Sequence, residues 1–92
     1  MRRLRFRVDE VFDLPVRSGL VACGTLLGGE ELIGIPAFVD EVTGRPVHVL
    51  GVDFPTPRTR RTGQYLLVVS REDSELVTAG RTWVSPRASA KP

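Results

Sequence analysis

One histidine, one cysteine and one lysine are all that these 92 residues hold of three side chains on which much enzyme chemistry depends. The lone Cys23 cannot close an internal disulfide, which fits a reduced, cytoplasmic chain. As a nucleophile it would need a neighbouring histidine or a helix N-terminus to lower its pKa, and none stands near it in sequence. It lies instead in the apolar run 20–27 and reads as a buried packing residue. His48, alone, completes neither a metal site nor a triad, and Ser18, Ser70 and Ser74 have no histidine partner in sequence. There is no C-x2-C pair and no H-E-x-x-H. The phosphate loop G-x4-G-K-[ST] is also missing, so GTP binding is not expected. No apolar run approaches the roughly 18 to 20 residues of a membrane span, and the first residues are charged, so neither signal peptide, anchor nor membrane contact is expected. An acid-base pair drawn from Asp9, Glu10, Asp40, Glu41 and Asp53 is the one enzymatic arrangement left open, and the expectation is a non-enzymatic protein without a cofactor.

What the chain has in quantity is arginine. Lys91 is the single lysine among 13 basic residues; the net charge is only +2, yet the pI is 9.3. Guanidinium groups suit bidentate contact with phosphate or carboxylate, so the bias fits an anionic partner. It fits a GC-rich coding sequence equally well. With 41% hydrophobic residues, a chain of this length suits one domain, burying roughly 60 to 65% of its unfolded surface. The expected barrel occupies residues 1–85. Residues 86–92 close the run SPRASAKP, which has no apolar period and is expected to be disordered.

Along the chain, Leu4, Phe6, Val8 and Phe12 share one phase of a period-2 pattern, and Arg3, Arg5, Arg7 and Asp9 share the other, as a half-buried strand requires. Glu10 and Val11 break the alternation, which predicts a β-bulge that bends the strand around a small barrel. Asp13-Leu14-Pro15 and Arg17-Ser18-Gly19 supply a turn, and a second strand follows over 20–27. Gly24, Gly29 and Gly34 recur every five residues, which reads as tight bends at the ends of a short connection. Strands are expected over 37–42 and 45–54, with Thr43-Gly44 as their hairpin turn and His48 in phase with Leu50 and Val52. Residues 55–62, PTPRTRRT, read as a polar loop. Residues 64–70 are the best candidate for a buried central strand. Ser70 and Asp73 resemble a capping box, so one helical turn is expected over 72–77, with Glu72, Asp73 and Glu75 as a solvated acidic turn. Thr82-Trp83-Val84 closes the barrel, Trp83 plugging one end. The fold class is all-β, a single small antiparallel barrel of about six strands.

Several of these pieces, in order, resemble domain 2 of the translational GTPases, the barrel of elongation factor Tu and its relatives. They are Val8-Asp9-Glu10-Val11-Phe12, Arg17-x-Gly19, Gly24-x4-Gly29-x4-Gly34, Gly51-Val52-Asp53-Phe54, Gly63 before an apolar strand, and the polar turn 71–80 before the last strand. The likeness spans residues 8–84 and departs at Ile35-Pro36, where the family has polar or acidic residues. It implies a barrel of that type that binds the acceptor end of transfer RNA or ribosomal RNA. Alternatively it implies a module that docks on a separate GTPase or other protein, much as domain 2 packs on its own GTPase domain. Only Arg17, in the turn matching the family's Gly-Arg-Gly, can be placed on a motif.

The candidate RNA-binding residues are therefore Arg2, Arg3, Arg5 and Arg7 on the first strand, Arg17 in its turn, and Arg58, Arg60 and Arg61 in the 55–62 segment. The basic strand face could equally serve as a solvated surface that discourages edge pairing. Phe6 is placed in the core rather than against a base.

Overall fold

The computed structural model describes residues 4–14, 18–27, 34–53 and 56–86. Seven strands, β1 (Arg5–Phe12), β2 (Leu20–Leu27), β3 (Phe38–Asp40), β4 (Pro46–Val47), β5 (Val49–Val52), β6 (Tyr65–Val69) and β7 (Thr82–Val84), form one antiparallel, nearly closed barrel. A short helix α1 (Pro57–Thr62) precedes β6, and a 3-10 helix (Arg71–Leu76) follows it. No helix among the described residues is long and apolar enough to cross a membrane.

The strand order β4-β3-β7-β1-β2-β6-β5 explains how the sheet closes. Its two end strands are one stretch of chain, interrupted only by His48. Val47 pairs with Phe38 on one edge, and Val49 pairs with Val69 on the other. The single strand expected over 45–54 is thus two, which raises the count from six to seven. His48 belongs to neither ladder. Its N–H donates to Asp73 Oδ2 at 2.7 Å, and its carbonyl accepts from the Ser70 N–H at 2.9 Å.

The bulge in β1 falls at Asp9: Val8 faces Gly24 and Glu10 faces Cys23, so Asp9 is the extra residue. One added residue inverts the phase of everything after it. Val11, out of phase in the sequence, therefore packs against the core, while Phe12, expected inside, turns outward and is 40% exposed. Before the bulge the pattern holds, with Phe6 and Val8 buried and Arg5 and Arg7 exposed.

The interior is filled by Trp83, Phe6 and Phe38, with ring centroids 5.5 Å apart for Phe6 and Trp83 and 5.9 Å for Phe6 and Phe38. Trp83 is fully buried, and its Nε1–H donates to the Leu76 carbonyl at 2.9 Å, which ties the 3-10 helix to the core. Gly24 marks no bend. It lies within β2, where a Cβ would sit 2.2 Å from the Arg7 carbonyl oxygen and 2.5 Å from the Phe6 ring. Gly34 does take a turn conformation, with φ 71°; Gly29 lies outside the described residues. Strand β6 runs between β2 and β5 with Leu66, Leu67 and Val69 buried, as its apolar run predicts. Val21, Cys23 and Leu66 form a second small cluster on the opposite face from Leu20, Ala22 and Leu67. Cys23 is a free, buried cysteine.

Four local expectations are corrected. Residues 57–62 are helix rather than loop, because Thr56 and Thr59 exchange a reciprocal capping box, Pro57 occupies the first turn, and Gly63 closes the helix at φ 75°. Of the capping box expected at Ser70, only the Ser70 half forms, its Oγ accepting from the Glu72 N–H at 3.2 Å. Asp73 is turned away from that box, buried and bonded to His48, so the acidic turn is solvated only at Glu72 and Glu75. Ser85, first residue of the SPRASAKP run, is held by two bonds to the Leu4 backbone; residues 87–92 lie outside the described residues.

Candidate binding surface

Asp9, the bulged residue, collects three donors. Its Oδ1 accepts from Arg7 Nε at 2.9 Å, and its Oδ2 from Thr25 Oγ1 at 2.8 Å and Gln64 Nε2 at 2.9 Å. Burial pulls this carboxyl's pKa upward, but the Gln64, Thr25 and Arg7 donors outweigh it and hold the group below the usual aspartate range. The bulge thus keeps a carboxylate beside Arg7. Gln64 follows the C-cap of α1, and its side-chain Oε1 accepts from Thr62 Oγ1 at 2.8 Å. Gln64, just past the C-cap of α1, thus ties the end of that helix to the bulge of β1.

Among the arginines whose side chains are described, most are compensated where they stand. Arg5 pairs with Glu41 at 2.9 Å and Arg7 with Asp9 at 2.9 Å. Arg45 pairs with Glu75 at 2.9 Å, Arg81 with the buried Asp40 at 2.9 Å, and Arg71 with Asp13. Arg60 and Arg61, both exposed, have no ion-pair partner among the described residues. Arg2, Arg3 and Arg17 lie outside the described residues, as does the side chain of Arg58. Of the candidate arginines whose side chains are described, Arg5 is therefore held by Glu41 and Arg7 by Asp9, while Arg60 and Arg61 on α1 remain without an ion pair among the described residues.

Beside this surface runs a groove that no periodicity announced. The pairing of β3 with β4, continued outward, would set residues 34–36 against β5. Pro36 has no N–H to continue that ladder, and His48 has turned its own N–H to Asp73. The two segments part, leaving a groove of about 440 Å³ lined by Gly34, Ile35, Gly51, Val52 and Tyr65. Val52 and Tyr65 also line an adjoining cleft of about 290 Å³, whose far wall includes Asp53, Arg60 and Gln64. Ile35 is 63% exposed, Leu50 49% and Val52 42%. The readable signal was Ile35-Pro36, the departure from the translation-factor pattern. Asp9, Thr25 and Gln64 carried none, because their meeting is a product of the bulge and of α1.

No three histidine, cysteine, aspartate or glutamate side chains among the described residues are placed to share a metal ion. No family model, curated protein or solved structure matches the chain.

Proposed function

We propose that this barrel is a non-enzymatic interaction module that docks on a protein partner. The observation that carries the reading is the apolar groove beside β5, where Ile35 and Val52 line a rigid barrel wall and stand exposed. The resemblance to domain 2 of the translational GTPases supports it, since those barrels pack against a GTPase domain. The ion pairs of Arg5 and Arg7 argue in the same direction. A guanidinium already beside a carboxylate brings little net charge to a phosphate backbone.

RNA binding is the second reading, and one observation favours it. Arg60 and Arg61 offer two exposed guanidinium groups on α1 that make no ion pair among the described residues. Capture of partners from the protein's own cell extract, with and without nuclease, separates the two. A protein partner retained after nuclease and at high salt supports docking, because an apolar interface is insensitive to ionic strength. Partners lost in both conditions replace it with the RNA reading.

A further inference from the structure

We propose that β5 is an acceptor edge for strand addition. The segment it takes is an extended stretch of the partner protein, with alternating apolar side chains and an acidic residue at one end. The inference rests on the docking reading and gives that docking a site and a chemistry.

Among the described residues strand β5 is last in the sheet order, and its one strand neighbour there is β6. Its other side faces the groove, because residues 34–36 diverge from it. A strand edge presents unpaired N–H and C=O groups at a fixed spacing, which a second extended chain satisfies and a helix or a nucleic acid does not. Natural edges are commonly guarded by charge or proline on the strand itself, yet β5 reads Val-Leu-Gly-Val. The groove floor sets the side-chain requirement. A strand laid along β5 points every second residue toward Ile35, Val52 and Tyr65, and apolar residues fit there.

Charge complementarity supplies the rest. At the end shared with the second cleft, Arg60 lines the wall and Arg61 adjoins it in the same helical turn; Asp53 is the one acid on that wall. Arg60 makes no ion pair among the described residues, so an aspartate or glutamate at the end of the incoming segment would meet its guanidinium there.

The test is selection of short peptides from a random displayed library on the full chain, followed by amide hydrogen exchange of the complex. The expected result is a consensus of alternating apolar residues ending in Asp or Glu, with new protection at the Leu50 and Val52 amides. N-methylation of alternate peptide amides should weaken binding about tenfold or more, since it removes ladder hydrogen bonds while keeping the side chains. Arg60→Gln with Arg61→Gln should weaken an acidic-ended peptide about fivefold and leave its Lys-ended counterpart unchanged. Equal binding of the N-methylated peptide, or protection confined to another face, overturns strand addition. So does an empty selection. A nuclease-resistant partner that the selected peptides fail to displace would leave protein docking standing and reject β5 as its site. Protection at β5 by poly-uridine and by no peptide would reject both.

Discussion

The backbone N–H and the ring Nδ1 of His48 both reach one oxygen of the Asp73 carboxylate, at 2.7 and 2.9 Å. Asp73 is buried while the imidazole is 63% exposed, so the two bonds stand in different surroundings. The backbone bond replaces a lost ladder partner where the chain passes from β4 to β5. The ring bond lies near water, where it contributes little.

That contrast yields a prediction. Asp73→Ala leaves the His48 N–H without an acceptor at the point where the barrel closes, and should cost about 1 to 3 kcal/mol. His48→Ala keeps the backbone bond and should cost less than about 1 kcal/mol. Urea unfolding of both variants measures the difference. Equal losses would mean that the ring, not the backbone, holds the junction.

Acid should unfold this protein through two aspartates. Asp40 is 1% exposed; Arg81 binds its Oδ1 at 2.9 Å, and the Thr43 N–H binds its Oδ2 at 2.9 Å. Burial raises its pKa, and the Thr43 amide, Arg81 and the Thr43 hydroxyl together bring it below the ordinary value, as their counterparts do for Asp9. A carboxyl whose pKa is lower folded than unfolded contributes stability above the unfolded value of about 3.9, and that contribution is lost as pH falls through the folded value. Stability should therefore drop steeply below about pH 4. The double variant Asp9→Asn, Asp40→Asn should be less stable at pH 7 and show a shallower fall in acid, by urea midpoint against pH. A parallel fall in both proteins would assign the acid sensitivity to other carboxylates.

Gly24→Ala should be far more damaging than its size suggests. The added methyl would overlap the Arg7 carbonyl and the Phe6 ring, neither free to move: one belongs to the β1–β2 ladder and the other is fully buried between Trp83 and Phe38. A loss of about 3 kcal/mol or more is expected, the upper range for an overpacked core. Gly51→Ala, made in open space, should change stability by less than about 1 kcal/mol. Comparable thermal midpoints for the two would refute the overlap.

The fold was legible where one residue type forced one geometry. Phe6 and Val8 alternating with Arg5 and Arg7 placed β1, the apolar run of β6 placed a buried strand, and Glu10-Val11 announced the bulge. The consequence of the bulge for Phe12 was not carried through, because a phase change propagates only once register is known. Helix α1 was hidden because its capping box uses a second threonine, Thr59, where glutamate or glutamine is the familiar sign. The split at His48 could not be read at all, since it depends on Asp73, 25 residues away. The same holds for the surface: the arginines were visible, but their carboxylate partners were not, and Arg5 reaches Glu41 across 36 residues.

Those partners fix what salt should do. If the chain binds RNA, Arg60 and Arg61 are the described arginines able to neutralise phosphate without first giving up an acid, so the log-log salt slope should be about −1.4 to −1.8, at roughly 0.7 to 0.9 per phosphate. Arg60→Gln with Arg61→Gln should abolish that binding. Arg5→Gln with Arg7→Gln should weaken it further only slightly, if at all: each guanidinium is already engaged, and its loss uncovers Glu41 or Asp9 toward the same phosphates. Both variants should melt close to the parent, because exposed arginines contribute little to folding. A slope near −4 in the parent, lost in the Arg5 and Arg7 variant, would mean that the β1 stripe exchanges its carboxylates for phosphate. In that case RNA, rather than a protein strand, is the partner this barrel was built to hold.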